Sequence, residues 1–437
     1  MTTSPPRPRA DRQSAADAGR GRRPEPQDDA GRGPAAVVAV KRIFGAETGN
    51  YFVILGTTLF LVAFGLIMVL SSSAVESYKA SGDFFNGFVR QVLFAAIGLP
   101  LMLIAARMPS GFWRRWAGLF MTAAIALQFL VVATPLGSEH GGNRNWIDLG
   151  AFTAQPSELV KLALVIWLGW TLSKKQQVLG NWRDLIIPIA PVAGGAILMV
   201  MIGNDLGTVI ILTAIVFGAL FFAGVKLRHL AVPLVLLGIV GAVLAFATGS
   251  RQSRIAAFLS GCTSDGDYAG DCWQTVHGWW ALASGGFFGV GLGNSKAKWS
   301  WLPEADNDFI FAIIGEEFGL IGAILVLALF VVLAIGFVRV IRSSSDPFAR
   351  ITTSAVMVWI VGQAFVNIAV VLGILPVLGV PLPLISAGGS ALITTMAAIG
   401  VVLSFARSRP SGPGELQQQR YRDPVPQRTP PVRTGRR

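Results

Sequence analysis

Trp301-Leu-Pro-Glu-Ala-Asp-Asn-Asp-Phe-Ile-Phe-Ala-Ile-Ile-Gly-Glu-Glu-Phe-Gly-Leu-Ile-Gly322 places three carboxylates, Glu304, Asp306 and Asp308, at the threshold of a long apolar run. Two more, Glu316 and Glu317, lie inside that run. A charge at membrane depth costs roughly 2.5–3.5 kcal/mol on insertion scales, so chains accept it rarely and mostly at functional sites. Interfacial charge with polar helix-packing residues is the plainer reading of the same residues. From Asp308, steps of 100° put Ala312, Gly315, Gly319 and Gly322 on one face, a small-residue stripe that lets another helix approach closely. On the same wheel Glu316 lies about 80° away and Glu317 about 180° away, so the pair reads as structural or coupling.

The run beginning at 309 is one of about ten apolar segments long enough to cross a bilayer: 52–71, 89–106, 114–134, 158–173, 185–203, 207–225, 229–248, 309–338, 352–375 and 384–406. The chain is 53% hydrophobic and 14% charged, with mean hydropathy +0.59. Soluble domains carry about 25% charged residues. The expected fold class is therefore all-α, a polytopic integral membrane protein with about ten transmembrane helices. Alternating ten-residue segments of a barrel are absent.

A net charge of +12 invites a nucleic-acid reading, but its distribution argues against one. Basic residues crowd both tails and every second loop: Arg107, Arg114 and Arg115; Lys174, Lys175 and Arg183; Lys226 and Arg228; Arg339, Arg342 and Arg350. This is the positive-inside pattern, and it makes both termini cytoplasmic and the number of spans even. The domain reading is a basic N-terminal tail over 1–49, a membrane domain over 50–406 and a C-terminal tail over 407–437. The tails are rich in Pro, Gly and Arg with few large apolar residues, so they are expected to be disordered. The long polar tail before residue 52 does not resemble a cleaved signal peptide.

On the outer side, residues 249–308 form a segment far longer than a typical connection. It holds both cysteines of the chain, Cys262 and Cys272. In an oxidising compartment a disulfide between them is expected, with two free thiols as the alternative. Polar chemistry also appears in Gly142-Asn-Arg-Asn-Trp-Ile-Asp-Leu-Gly150 and Gln155-Pro-Ser-Glu-Leu-Val-Lys161. Pro156 suits the first turn of a helix, and Glu158 and Lys161 share a face three residues apart. That pair fits a structural salt bridge as well as a binding site. Asp205 lies in Gly203-Asn-Asp-Leu-Gly-Thr208, a tight link between two spans. The last outer stretch, 373–390, holds three prolines and four glycines, so regular helix cannot persist there.

Together these motifs resemble the SEDS family of polytopic glycosyltransferases of bacterial peptidoglycan synthesis, the FtsW, RodA and SpoVE group. The resemblance spans about residues 50–406. It rests on Arg144-Asn-Trp-Ile with Gln155-Pro-Ser-Glu-Leu-Val-Lys161; Asp205-Leu-Gly-Thr208; Gly291-Leu-Gly-Asn-Ser295; Leu302-Pro-Glu with Asp308 through Glu317; and Asn367, Leu375-Pro-Val, Pro381-Leu-Pro-Leu-Ile-Ser and Gly388-Gly-Ser390. Each is weak alone; their order on this many spans is specific. The chain departs from the family pattern at Gly203-Asn204, where Gln-Pro is usual, at His277, where a Gln is usual, and at Ala387, where a Tyr is usual. No acidic or basic candidate is lost. Ser386-Ala-Gly-Gly and Lys298-Trp-Ser-Trp-Leu-Pro-Glu resemble the actinobacterial division-type branch.

The resemblance implies a multi-pass bacterial plasma-membrane enzyme at the division septum. It would polymerise lipid II, an undecaprenyl-pyrophosphate disaccharide-pentapeptide, into glycan strands with inversion. Asp308 matches the family's catalytic aspartate and would act as general base. Capping of the following helix is the competing role for Asp308. Glu304 would shape the acceptor or metal site. Arg144, Lys161 and Arg254 would neutralise the leaving pyrophosphate. Glu158, Asp205 and Ser386 are further substrate-binding candidates. A divalent cation, Mg or Mn, is a candidate cofactor. The implied partners are a cognate class B penicillin-binding transpeptidase of FtsI type and other divisome proteins. No Walker loop is present, so the substrate's pyrophosphate bond would supply the energy. A RodA-type elongation polymerase and a lipid II flippase are the alternatives. A transporter would favour inverted repeats and broken helices near the midplane, and no internal repeat is visible.

Overall fold

The computed structural model describes residues 48–407 apart from 141, 149, 151–152, 180–181, 247–248, 263–269, 271 and 300. The expected disorder of the tails falls on residues outside that set, except for the N-terminal tail's last two residues, Thr48 and Gly49, and the C-terminal tail's first, Arg407. The described elements begin with α1 (Gly49–Ser81), α2 (Asn86–Arg107) and α3 (Ser110–Ala133), followed by β1 (Gly137–His140), β2 (Asn143–Asp148) and β3 (Thr153–Ala154). Then come α4 (Pro156–Lys174), α5 (Trp182–Ile202), α6 (Leu206–Ala223), α7 (Leu227–Phe246), α8 (Gly249–Ser260) and α9 (Trp273–Gly285). The chain closes with α10 (Ile310–Ser343), α11 (Pro347–Val371) and α12 (Gly389–Ala406).

Each of the ten apolar runs falls on a helix. By length and composition, seven described helices qualify as membrane spans: α1, α2, α3, α6, α10, α11 and α12. The expected count of about ten is thus not reached on those terms. Of the other three helices, α4 carries Glu158 and Lys161 in its first two turns, and α5 has Pro188 and Pro191 inside it. The final helix starts at Gly389, five residues later than the apolar run, because 372–388 is non-helical.

The fold also adds a small antiparallel sheet in the order β1-β2-β3. It joins α3 to α4 and is held on the α5–α6 turn. The Arg144 N–H donates to the Gly203 carbonyl at 2.9 Å, and Asn145 Nδ2 donates to the same oxygen at 3.1 Å. Gln128 Nε2 of α3 donates to Asn145 Oδ1 at 2.6 Å. These bonds satisfy polar groups at the helix ends, which cannot be left unpaired in a buried setting.

Within the long segment 249–308, Gly249–Ser260 and Trp273–Gly285 are helical. Cys262 and Cys272 are bonded, with Cα atoms 5.6 Å apart, and tie the end of α8 to the start of α9. Beyond α9 the chain turns back into α10 and breaks it. Gly319 has φ 66° and ψ −161°, inside an otherwise helical stretch. This region of backbone space is essentially open to glycine alone. Segment 286–291 supplies the hydrogen bonds the break removes. Val290 N–H donates to Glu316 O at 2.9 Å, Gly291 N–H to Glu317 O at 3.0 Å, and Leu320 N–H to Gly286 O at 2.9 Å. The helical wheel drawn from Asp308 therefore fails twice: Asp308 precedes α10, and Gly319 interrupts it.

Buried charges lock the same joint. Lys298 Nζ contacts Glu317 Oε1 at 3.2 Å and Ser71 Oγ of α1 at 3.0 Å. Glu316 accepts from the Lys296 N–H at 2.9 Å and from Ser295 Oγ. Both glutamates thus serve structure, as the sequence suggests. A β-carbon at Gly319 would lie 2.5 Å from Gly289 N and from Phe287 O. Gly319→Ala is expected to destabilise the protein by about 1–3 kcal/mol through backbone strain alone, with the clash adding to it. Thermal unfolding in detergent measures the loss; an unchanged transition would contradict the account.

Candidate active site

Asp308 ends a tight turn in front of α10. The Asn307 and Phe309 N–H groups both donate to Glu304 O at 3.1 Å. Phe309 is fully buried, with its ring against Gly278 of α9. From the other side, segment 372–388 clasps the turn. Asn367 Nδ2 donates to Asp308 O at 2.8 Å and to Val380 O at 2.7 Å. Ser386 Oγ donates to Asn307 O at 2.7 Å, and the Ala387 N–H to Asp306 O at 2.8 Å. The backbone is thus fixed by its neighbours while the carboxyl is left unengaged. Asp308 Oδ1 is buried without a hydrogen-bond partner among the described residues. A β-carbon at Gly379 would stand 3.6 Å from Oδ2.

The electrostatics suit a proton acceptor. Burial, with help from the neighbouring Glu304, Asp205 and Asp306 carboxylates and against the pull of Arg254, raises the Asp308 pKa from the usual 3.8 to about 7. Burial, Glu76 and Glu304 likewise raise Asp306 to about 6. A base that titrates near the working pH combines availability with driving force. Capping is excluded as the role of Asp308: Phe309 is the N-cap residue of α10, and no side chain caps that helix.

The other expected site residues divide. Glu304 is exposed beside Asp308, with Oε2 accepting from Asn307 Nδ2 at 3.2 Å. Arg254, exposed on α8, is the expected cation whose charge acts on Asp308. It lines a cavity of about 60 Å³ with Trp279, Gly373 and Pro376. Arg144 is exposed, and its guanidinium donates to Thr134 O at 2.9 Å, so it braces the β-sheet.

Lys161 and Glu158 are enclosed in the bundle, 2.7 Å apart with side chains 2% and 3% exposed. Their charges neutralise each other, so the expectation that Lys161 meets pyrophosphate is corrected: it acts through structure. Lys161 Nζ also contacts Gln363 Oε1 at 3.2 Å, and Gln363 Nε2 donates to Pro381 O at 2.9 Å. The pair therefore supports the clasp from below.

Asp205 is corrected in the same way. Its Oδ1 caps α6 by accepting from the Thr208 N–H at 2.9 Å, and its Oδ2 accepts from Gln155 Nε2 at 2.9 Å. Ser386 has its hydroxyl committed to Asn307 O and to the Leu382 N–H. It positions the turn and has no free group for substrate. Sequence reasoning missed Asn367 and Gln363 as positioning residues; Asn367 was visible only as a motif residue. Among the described residues no group of three or more His, Cys, Asp or Glu side chains could hold a metal ion.

The family described as cell cycle protein, covering FtsW, RodA and SpoVE, matches residues 52–410. The chain belongs to this family. The FtsW, RodA and SpoVE family includes a probable peptidoglycan glycosyltransferase FtsW of Mycobacterium tuberculosis, 38% identical over 381 residues, covering 86% of this chain and 72% of that protein. It also includes stage V sporulation protein E of Bacillus subtilis, 38% identical over 352 residues, covering 80% of this chain and 95% of that one. Two solved structures share the fold at 24% identity. One was reported for the structural coordination of polymerization and crosslinking by a peptidoglycan synthase complex, with TM-score 0.66 over 85% of this chain and 98% of the other. The other is the rod shape determining protein RodA of Thermus thermophilus, with TM-score 0.60 over 82% and 98%. The polytopic all-α membrane architecture is thereby settled.

Proposed function

We propose that the chain is a peptidoglycan glycosyltransferase that polymerises lipid II at the division septum. The observation that carries this reading is the unpartnered Asp308 carboxyl oxygen on a rigid turn, titrating near neutrality. Asp308 takes the proton from the acceptor sugar 4-hydroxyl as that oxygen attacks the donor anomeric carbon. The bond to the pyrophosphate lipid breaks, and Arg254 offers positive charge as the leaving group develops its own. Glu304 faces the acceptor and adds to burial in raising the Asp308 pKa. The FtsW relatives' names support the reaction class.

Both termini and the loops rich in Lys and Arg face the cytoplasm, which puts Asp308 on the outer surface. The partner is a class B penicillin-binding transpeptidase, in keeping with the polymerization and crosslinking coupled in the structural relative. The test is direct. Full-length protein, alone and with its transpeptidase, is supplied with lipid II in detergent, where no bilayer remains to be crossed. Glycan polymer is the expected product. Absence of polymer in both preparations, with lipid II translocation in vesicles, would replace this reading with transport.

A further inference from the structure

At the far end of the bundle from Asp308 lies a second, unassigned cavity of about 470 Å³. The two are a helix length apart: α11 begins at the cavity, at Pro347, and ends at Val371, just before the clasp over Asp308. The volume falls within the roughly 300–1,000 Å³ of small-ligand sites. Gly111, Arg114, Arg115, Trp170, Lys174 and Asp346 are among the residues that line it. Three cations face one carboxylate, which leaves two positive charges.

The single acid is already engaged. Asp346 pairs with Arg114 and also caps α11, accepting from the Phe348 N–H at 3.1 Å. Arg114 is further held over the Phe348 ring at 5.1 Å. Lys174 Nζ sits 4.0 Å over the Trp170 ring and makes no ion pair with any described residue. Arg115 is exposed and makes no ion pair with any described residue. The start of α3 adds to the field. Its N-cap, Pro109, supplies no side-chain cap, and Gly111 of its first turn lines the cavity. Along α3, Trp116 and Leu119 are 39% and 55% exposed, an apolar surface leading away from the cavity.

We infer that this cavity binds a phosphate-bearing anion, with Arg115 and Lys174 as its free cations. An anionic phospholipid headgroup fits best, because its acyl chains would lie on the Trp116 and Leu119 face. Basic pockets between membrane helices on the cytoplasmic side take such headgroups. The proposal stands apart from the reaction at Asp308.

The experiment measures thermal unfolding of the purified full chain in neutral detergent. Phosphatidylglycerol, phosphatidylcholine or inorganic phosphate is added in turn. The parent and an Arg339→Gln/Arg342→Gln control, which neutralises basic residues at the same end but outside the cavity, should gain about 2–4 °C with phosphatidylglycerol and nothing with phosphatidylcholine. Arg115→Gln/Lys174→Gln should lose that gain. If that variant does not fold, Arg115→Glu alone gives the same reading. A gain with phosphatidylglycerol only assigns a lipid headgroup; a gain with inorganic phosphate as well assigns the bare phosphate chemistry. An equal gain in the cavity variant and the parent, or no gain with either anion, would overturn the proposal.

Discussion

Asp308→Asn should lower the rate of lipid II polymerisation by about 10²–10⁴-fold while leaving folding and membrane insertion intact. The asparagine keeps nearly the same volume and loses only the proton-accepting carboxylate. Its backbone anchors survive, because Asn367, Ser386 and Ala387 all bind main-chain oxygens of the turn. Stability should not fall, since the carboxylate has an unpartnered buried oxygen and burial works against its charge. A merely structural Asp308 would give the opposite pattern, with stability lost and activity falling in proportion.

Lys161→Met should destabilise the protein by about 3–5 kcal/mol, because it strands the Glu158 carboxylate in the bundle. Lys161 and Glu158 are each other's ion-pair partner, and both are enclosed. The Glu158→Gln/Lys161→Met double variant removes both charges and should recover most of the loss. Thermal unfolding of the two variants in detergent separates this role from pyrophosphate binding. If Lys161 neutralised the leaving group, the single variant would keep its stability, lose activity, and not be rescued by the second change.

The helices were legible because apolar runs of bilayer length have few other uses. The small sheet was not, because its strands are short and polar and are held by contacts to Gly203, 58 residues on from Asn145, and to Gln128 of the preceding helix. The break at Gly319 was hidden for a different reason. In sequence, Gly315, Gly319 and Gly322 read alike as a packing stripe, and only the return of segment 286–291 singles out one of them. Asp308 could be found from its place at the edge of an apolar run. Its clasp could not, since Asn367 lies 59 residues away and no spacing rule connects them. Lys161 was misread because charge at a span's start suggests ligand binding, yet the spacing to Glu158 that puts both on one face also lets them neutralise each other.

The pH dependence of polymerisation tests the role of Asp308 most directly. Its carboxyl is neutral below a pKa of about 7 and ionised above it. The base form therefore grows as pH rises, while the group's stabilising contribution, greatest in the protonated state, declines from pH 3.8 upward through about 7. Initial rates of the parent and Asp308→Asn are to be compared between about pH 5 and 9. The parental rate should climb about tenfold per pH unit to a plateau with its midpoint near 7, an apparent value shared with Asp306. Asp308→Asn should be slow and without that limb. A variant that keeps both the parental rate and the rising limb would contradict the assignment of Asp308 as the base.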